Sequence, residues 1–106
     1  MNRTNKARLA AHAAIIKALA HPSRLLIVEE LAKRPRCVCD LTKLIGARMP
    51  TVSNHLTVLK HAGIIQHERR GTQLIYHLLC PCILEFIACI TTVVRSNARR
   101  QMALAA

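Results

Sequence analysis

Aromatic side chains are nearly missing from this chain: it has no Trp, and only Tyr76 and Phe86 among 106 residues. Capture of single-stranded nucleic acid by stacking bases on aromatic platforms does not fit such a composition. Acidic side chains are almost as scarce, five against sixteen Lys and Arg. They supply no paired carboxylates for acid–base work, and the three glycines form neither a phosphate-cradling loop nor a nucleophile elbow. The chain is not expected to be an enzyme. Residues Met1 to Lys17 lack the continuous apolar stretch of a secretory leader. The expected compartment is therefore a reducing cytoplasm, where the five cysteines stay out of structural disulfides. No run is long enough to cross a bilayer. The most apolar segment, Leu78 to Val94, spans 17 residues and contains Pro81 and Glu85, whereas a span needs about 20. It reads as a helix buried between subunits, and no membrane partner is expected.

What the chain has in excess is positive charge, +11 with His neutral. A surplus of that size points to a polyanionic partner. Of the polyanions that remain, duplex DNA, approached through phosphates and base edges, fits the composition better than single strands. The length predicts one domain over residues 1–106, with a core small enough that a second subunit is expected to add to it.

The pattern predicts a mostly helical fold with one hairpin. Residues 1–10 read as a frayed end or DNA-facing arm. Ala11 to Ala20 is an Ala-rich helix, interrupted at His21 and Pro22. Pro22 starts a second helix running to Lys33, with Leu26 and Leu31 inward, and Pro35 ends it. Asp40 is expected to cap a short helix through Leu41, Leu44 and Ile45, closed by Gly46. Pro50 opens a fourth helix that stops at Gly63, with Val52, Leu56 and Leu59 as its apolar stripe. Two helices joined by so tight a turn form a helix-turn-helix. Ile64 to Arg69 and Gln73 to Leu79 flank Arg70, Gly71 and Thr72 as a basic hairpin, and a last helix runs from Pro81 to about Arg100. The order is α-α-α-α-β-β-α, a winged helix-turn-helix.

In such a motif the N-terminal part of the second helix meets base edges. Here that assigns Thr51, Ser53, Asn54 and His55 to DNA. Asn54 has the donor–acceptor pair for adenine. Lys60, Arg48, Lys43 and the hairpin residues Arg69 and Arg70 are assigned to phosphates. His12, His21, His67 and His77 show no metal-ligand spacing with the thiols.

Several strings together resemble the ArsR/SmtB family of winged-helix repressors. Ser53 to Ile65 (SNHLTVLKHAGII) is similar to its recognition-helix signature, and His21 to Ile27 (HPSRLLI) to the start of its second helix. Cys37 to Asp40 and Leu41 (CVCDL) resemble the metal box of its arsenic and cadmium/lead sensors, and Arg69, Arg70, Gly71 and Tyr76 match its wing. The resemblance covers roughly residues 11–98. It implies a homodimer through the first and last helices, seated on double-stranded operator DNA expected to be an inverted repeat and vacated when an inducer binds.

Cys37 and Cys39 place two soft ligands two residues apart, suited to thiophilic ions such as As(III), Cd(II), Zn(II) or Cu(I). Two sulfurs are one or two short of a closed site. The third cysteine of arsenic sensors is replaced by the Leu41, Thr42, Lys43 neighbourhood, residues 1–36 hold no cysteine, and the last helix has no histidine. That helix carries Cys82 and Cys89 instead, about 10.5 Å apart along its axis. The expected metal site is thus composite: Cys37 and Cys39, closed by Cys82 or Cys89 from the same or the other subunit. As(III) or Sb(III) is the first expected inducer. Cd(II), Pb(II), Zn(II) or Cu(I) at the same thiols, and a persulfide or oxidant linking them, remain open. A small thiol enzyme or metal carrier is the remote reading, since Cys-Val-Cys is not the thioredoxin-type spacing.

Overall fold

The computed structural model describes residues 1–105. Five helices, α1 (Arg3–Leu19), α2 (Pro22–Lys33), α3 (Val38–Ile45), α4 (Met49–His61) and α5 (Ile83–Ala105), surround a small antiparallel sheet of β1 (Arg36–Cys37), β2 (Ile65–Arg70) and β3 (Gln73–Leu78). The strand order is β1-β3-β2. Arg36 pairs with Tyr76, and β2 and β3 form a hairpin in register from Ile65 opposite Leu78 to Arg70 opposite Gln73. Gly71 turns the hairpin with φ 63°, a backbone only glycine adopts freely, at the first position of a two-residue loop. The winged helix-turn-helix expected from the sequence is present.

Several boundaries differ from expectation. The first helix begins at Arg3, not near Ala11, because Asn2 caps it: its side-chain oxygen accepts from the Asn5 N–H at 2.8 Å. The residues read as a frayed arm are good helix formers and continue the Ala-rich run. The short α3 is capped by Cys37 rather than Asp40; the Cys37 sulfur accepts from the Asp40 N–H at 3.4 Å. Strand β1 was not foreseen, since two residues leave no alternation to read. In α2 the buried side chains are Ile27, Val28 and Leu31, while Leu26 is half-buried. The last helix starts at Ile83, two residues after Pro81, and extends beyond Arg100.

The core joins Ala18 and Leu19 of α1, Ile27, Val28 and Leu31 of α2, Leu41 of α3, and Val52, Leu56 and Leu59 of α4 to Ile64, Ile65 and Tyr76 of the hairpin. Arg36 fastens β1 to α2 through a 2.7 Å ion pair with Glu30, which Lys33 also contacts at 3.0 Å. Helix α5 adds no fully buried side chain. Ile83, Leu84 and Ile87 lean on the core, while Phe86, Ile90, Val93 and Val94 stay exposed. Among the described residues no helix is long and apolar enough to cross a membrane.

One polar cluster fixes α4 from behind. His55 is 7% exposed. Its Nδ1 accepts from the Nε of Arg24 at 3.1 Å, and its ring lies 4.3 Å from that of His21. Arg24 also donates to the Ala18 carbonyl at 3.3 Å, and His21 caps α2 by accepting from the Ser23 N–H. The end of α1, the start of α2 and the middle of α4 thus meet at three side chains. Burial first, then the neighbouring His21 and Arg24, lower the His55 pKa from its ordinary 6.5. Neutral His55 is the form that accepts from Arg24. A histidine whose folded pKa is lowered contributes stability that is present above 6.5 and lost as pH falls toward the lowered value. Urea unfolding is expected to show stability declining on the acid side of 6.5, with His55→Gln removing part of that decline. Identical pH slopes for the two proteins would acquit His55.

Candidate nucleic-acid interface

The candidate interface lies on α3 and α4. Gly46 ends α3 in the left-handed conformation, φ 74°, its N–H returning to the Thr42 carbonyl at 3.0 Å. Such a cap releases the chain sharply, and only Ala47 and Arg48 intervene before α4 begins at Met49. Pro50 sits in the first turn of α4, where the absence of its N–H is harmless.

Once inserted, α4 divides into two faces. Val52, His55, Leu56 and Leu59 are buried at spacings of three and four residues. Thr51, Ser53, Asn54, Thr57, Lys60 and His61 are exposed. His55 therefore does not belong to the DNA-facing set assigned from the sequence. It lies three residues from Val52 and four from Leu59, so helical geometry turns it inward, where Arg24 satisfies it. That spacing was readable beforehand, and Arg24 is the positioning residue that sequence reasoning passed over.

The other assigned residues stand in the open. The Thr57 hydroxyl donates to the Ser53 carbonyl at 2.9 Å and so stays against the helix, which leaves Thr51, Ser53 and Asn54 as the outward polar groups of the first turns. Arg48, at the N-cap position of α4, is exposed and makes no side-chain hydrogen bond or ion pair among the described residues, so its guanidinium is available to phosphate. Arg69 and Arg70 end β2 at the wing tip. Arg70 contacts Glu68 at 2.6 Å, both side chains more than half exposed. A solvent-screened pair of this kind is worth about 0–1 kcal/mol, little enough for a phosphate to compete.

The thiols are dispersed. All five cysteines are free; Cys37 is half-buried at the start of α3, and Cys39, Cys80, Cys82 and Cys89 are exposed. Cys80 lies near the Gly63 carbonyl at 4.0 Å. Cys82 immediately precedes α5, and Cys89 lies within it. Among the described residues no three His, Cys, Asp or Glu side chains come together as a metal-holding group. The structure thus does not bring Cys37, Cys39, Cys82 and Cys89 into one site within a single chain. The first two are fixed by β1 and α3, the last two by α5 and the turn just before it, and α5 docks through Ile83, Leu84 and Ile87.

Comparison with known proteins agrees with this architecture. The family model described as bacterial regulatory protein, arsR family, matches residues 21–67, the segment from the α2 cap through the start of the wing. The transcriptional repressor SmtB of Mycobacterium tuberculosis is 41% identical over 64 residues, 60% of this chain and 47% of the relative; the alignment thus spans about half the length of that protein. The arsenical resistance operon repressor of Bacillus subtilis is 38% identical over 79 residues, 74% of this chain and 75% of the relative. Among solved structures, the homodimeric winged helix-turn-helix DNA-binding domain Mb0332 of Mycobacterium bovis superposes with a TM-score of 0.78 at 27% identity, covering 94% of this chain and 93% of that one. A helix-turn-helix whose second helix is clamped by a buried stripe, a glycine-turned wing and these likenesses agree: the chain belongs to the arsR family of bacterial regulatory proteins, a family of transcriptional regulators rather than enzymes.

Proposed function

We propose that this chain is a cytoplasmic repressor that binds double-stranded operator DNA as a homodimer, and that a thiophilic inducer, As(III) or Sb(III) foremost, releases it. The observation that carries this reading is the two-faced α4. Its inner stripe is locked to the core, and its outer face offers Thr51, Ser53 and Asn54 beside the cations Arg48 and Lys60. All 106 residues act as one domain in this reading. The exposed apolar face of α5, together with Ile16 and Leu9 of α1, is the surface a second copy covers. Two-fold symmetry then calls for an operator of two inverted half-sites about one helical turn apart.

The donor chemistry suits a soft inducer but leaves it incomplete in one chain. Cys37 and Cys39 supply two sulfurs where a trigonal or tetrahedral centre takes three or four. In the dimer, Cys82 or Cys89 of the other copy is the natural source of the remainder. Ligation at Cys37 would draw its sulfur from the Asp40 N–H and uncap the first helix of the reading head. Sulfur is a weak acceptor, so losing this cap costs about 0.5 kcal/mol, the low end for helix caps, a small bias against the DNA-competent state.

Fluorescence anisotropy with duplex DNA from upstream of the gene tests both halves. Asn54→Ala is expected to weaken operator binding roughly ten- to hundredfold while sparing random-sequence DNA; an equal loss on both would remove Asn54 from base reading. The Cys37→Ser/Cys39→Ser double variant is expected to hold the operator and ignore arsenite. Release of that variant by arsenite would refute the thiol site. Release of the unmodified protein only by a persulfide donor, reversed by dithiothreitol, would make the same cysteines a redox switch.

A further inference from the structure

On the side of α4 that faces α1 and α2 lies an open cleft of about 490 Å³. Its floor is apolar: Ala14, Ala18, Val58 and Ala62. Its rim is Lys17, Arg24 and His61, and no acidic side chain lines it. Small-molecule sites in proteins run roughly 300–1,000 Å³ and pair an apolar lining with a few placed polar groups. This cleft has that size and that division of labour, and its polar groups are all donors toward negative charge.

The rim is only partly spent on internal partners. Arg24 uses Nε on His55 and one terminal nitrogen on the Ala18 carbonyl. Its second terminal nitrogen has no hydrogen-bond partner among the described residues. Lys17 and His61 are exposed and make no ion pair among the described residues. A bare phosphate would satisfy the donors and leave the four apolar side chains wet; a carboxylate on a flat hydrocarbon body satisfies both.

We propose that the cleft between α1, α2 and α4 binds a small organic anion, a carboxylate carried on an apolar ring system. The anion sits with its carboxylate against Lys17, Arg24 and His61 and its body over Ala14, Ala18, Val58 and Ala62. Binding engages the arginine that holds His55 and cancels positive charge beside the reading helix. On the repressor reading given above, occupancy therefore weakens operator binding.

The site is tested without DNA, so its outcome is independent of the repressor reading. The full-length ¹⁵N-labelled protein is titrated with 2-naphthoate and, separately, with neutral 2-naphthalenemethanol. Saturable amide shifts are expected at Ala14, Lys17, Ala18, Val58 and Ala62, with the neutral analogue binding roughly tenfold more weakly. Lys17→Gln and His61→Gln, both at exposed positions, should each weaken naphthoate binding while leaving the rest of the spectrum unchanged. The proposal is overturned if shifts do not saturate, or if they fall instead at Ile16, Phe86 and Ile90, which line a second, smaller apolar pocket of about 130 Å³. Equal affinity for the alcohol, or unchanged affinity in both variants, overturns it too. A short duplex that shifts the cleft amides while naphthoate does not would reassign Lys17 and His61 to the DNA backbone.

Discussion

Val52, Leu56 and Leu59 are withdrawn completely from solvent, and the hydrogen bond from Arg24 to His55 sits beside them. Everything α4 offers outward is aimed by these inner contacts. Truncating one large side chain in such a stripe costs about 2–5 kcal/mol, against a total stability of about 5–15 kcal/mol for an ordinary domain. The hydrogen bond does something the apolar stripe cannot. Packing tolerates small rotations of a helix about its axis, whereas a nitrogen-to-nitrogen contact at 3.1 Å sets the angle at which Thr51, Ser53 and Asn54 emerge.

The same cluster explains the economy of the α1–α2 corner. His21 is at once the N-cap of α2 and the ring packed on His55. Pro22 behind it restricts the corner further. Arg24, two residues on, reaches the last turn of α1 through the Ala18 carbonyl. Four consecutive residues thus link three helices. The orientation of α4 is thus tied to both neighbouring helices by polar contacts as well as by the apolar core.

Much of this was legible in the sequence because punctuation residues carry their geometry with them. Pro22, Gly46, Pro50, Gly63 and Gly71 each mark a boundary that the structure keeps within a residue or two. What escaped has physical reasons. The early start of α1 depends on Asn2, a single cap that composition hides within a polar stretch. Cys37 displaced Asp40 as a cap because β1 brings the chain in extended at that residue. His55 was placed outside because its polarity outweighed its spacing; a buried partner reverses that judgement, and the partner lies 31 residues away. The cysteines were the least readable part. Their number and spacing specify a chemistry, but the distance between α3 and α5 sites is a property of the assembled fold.

Helix α5 is the longest element of the chain, at 23 residues, and it buries no side chain fully. In the proposed dimer its apolar face is completed by mass action rather than by the chain's own folding. The free energy holding the reading heads in place then includes a contribution that grows with the logarithm of protein concentration. On that proposal, diluting the protein loosens the dimer and any complex that depends on it together.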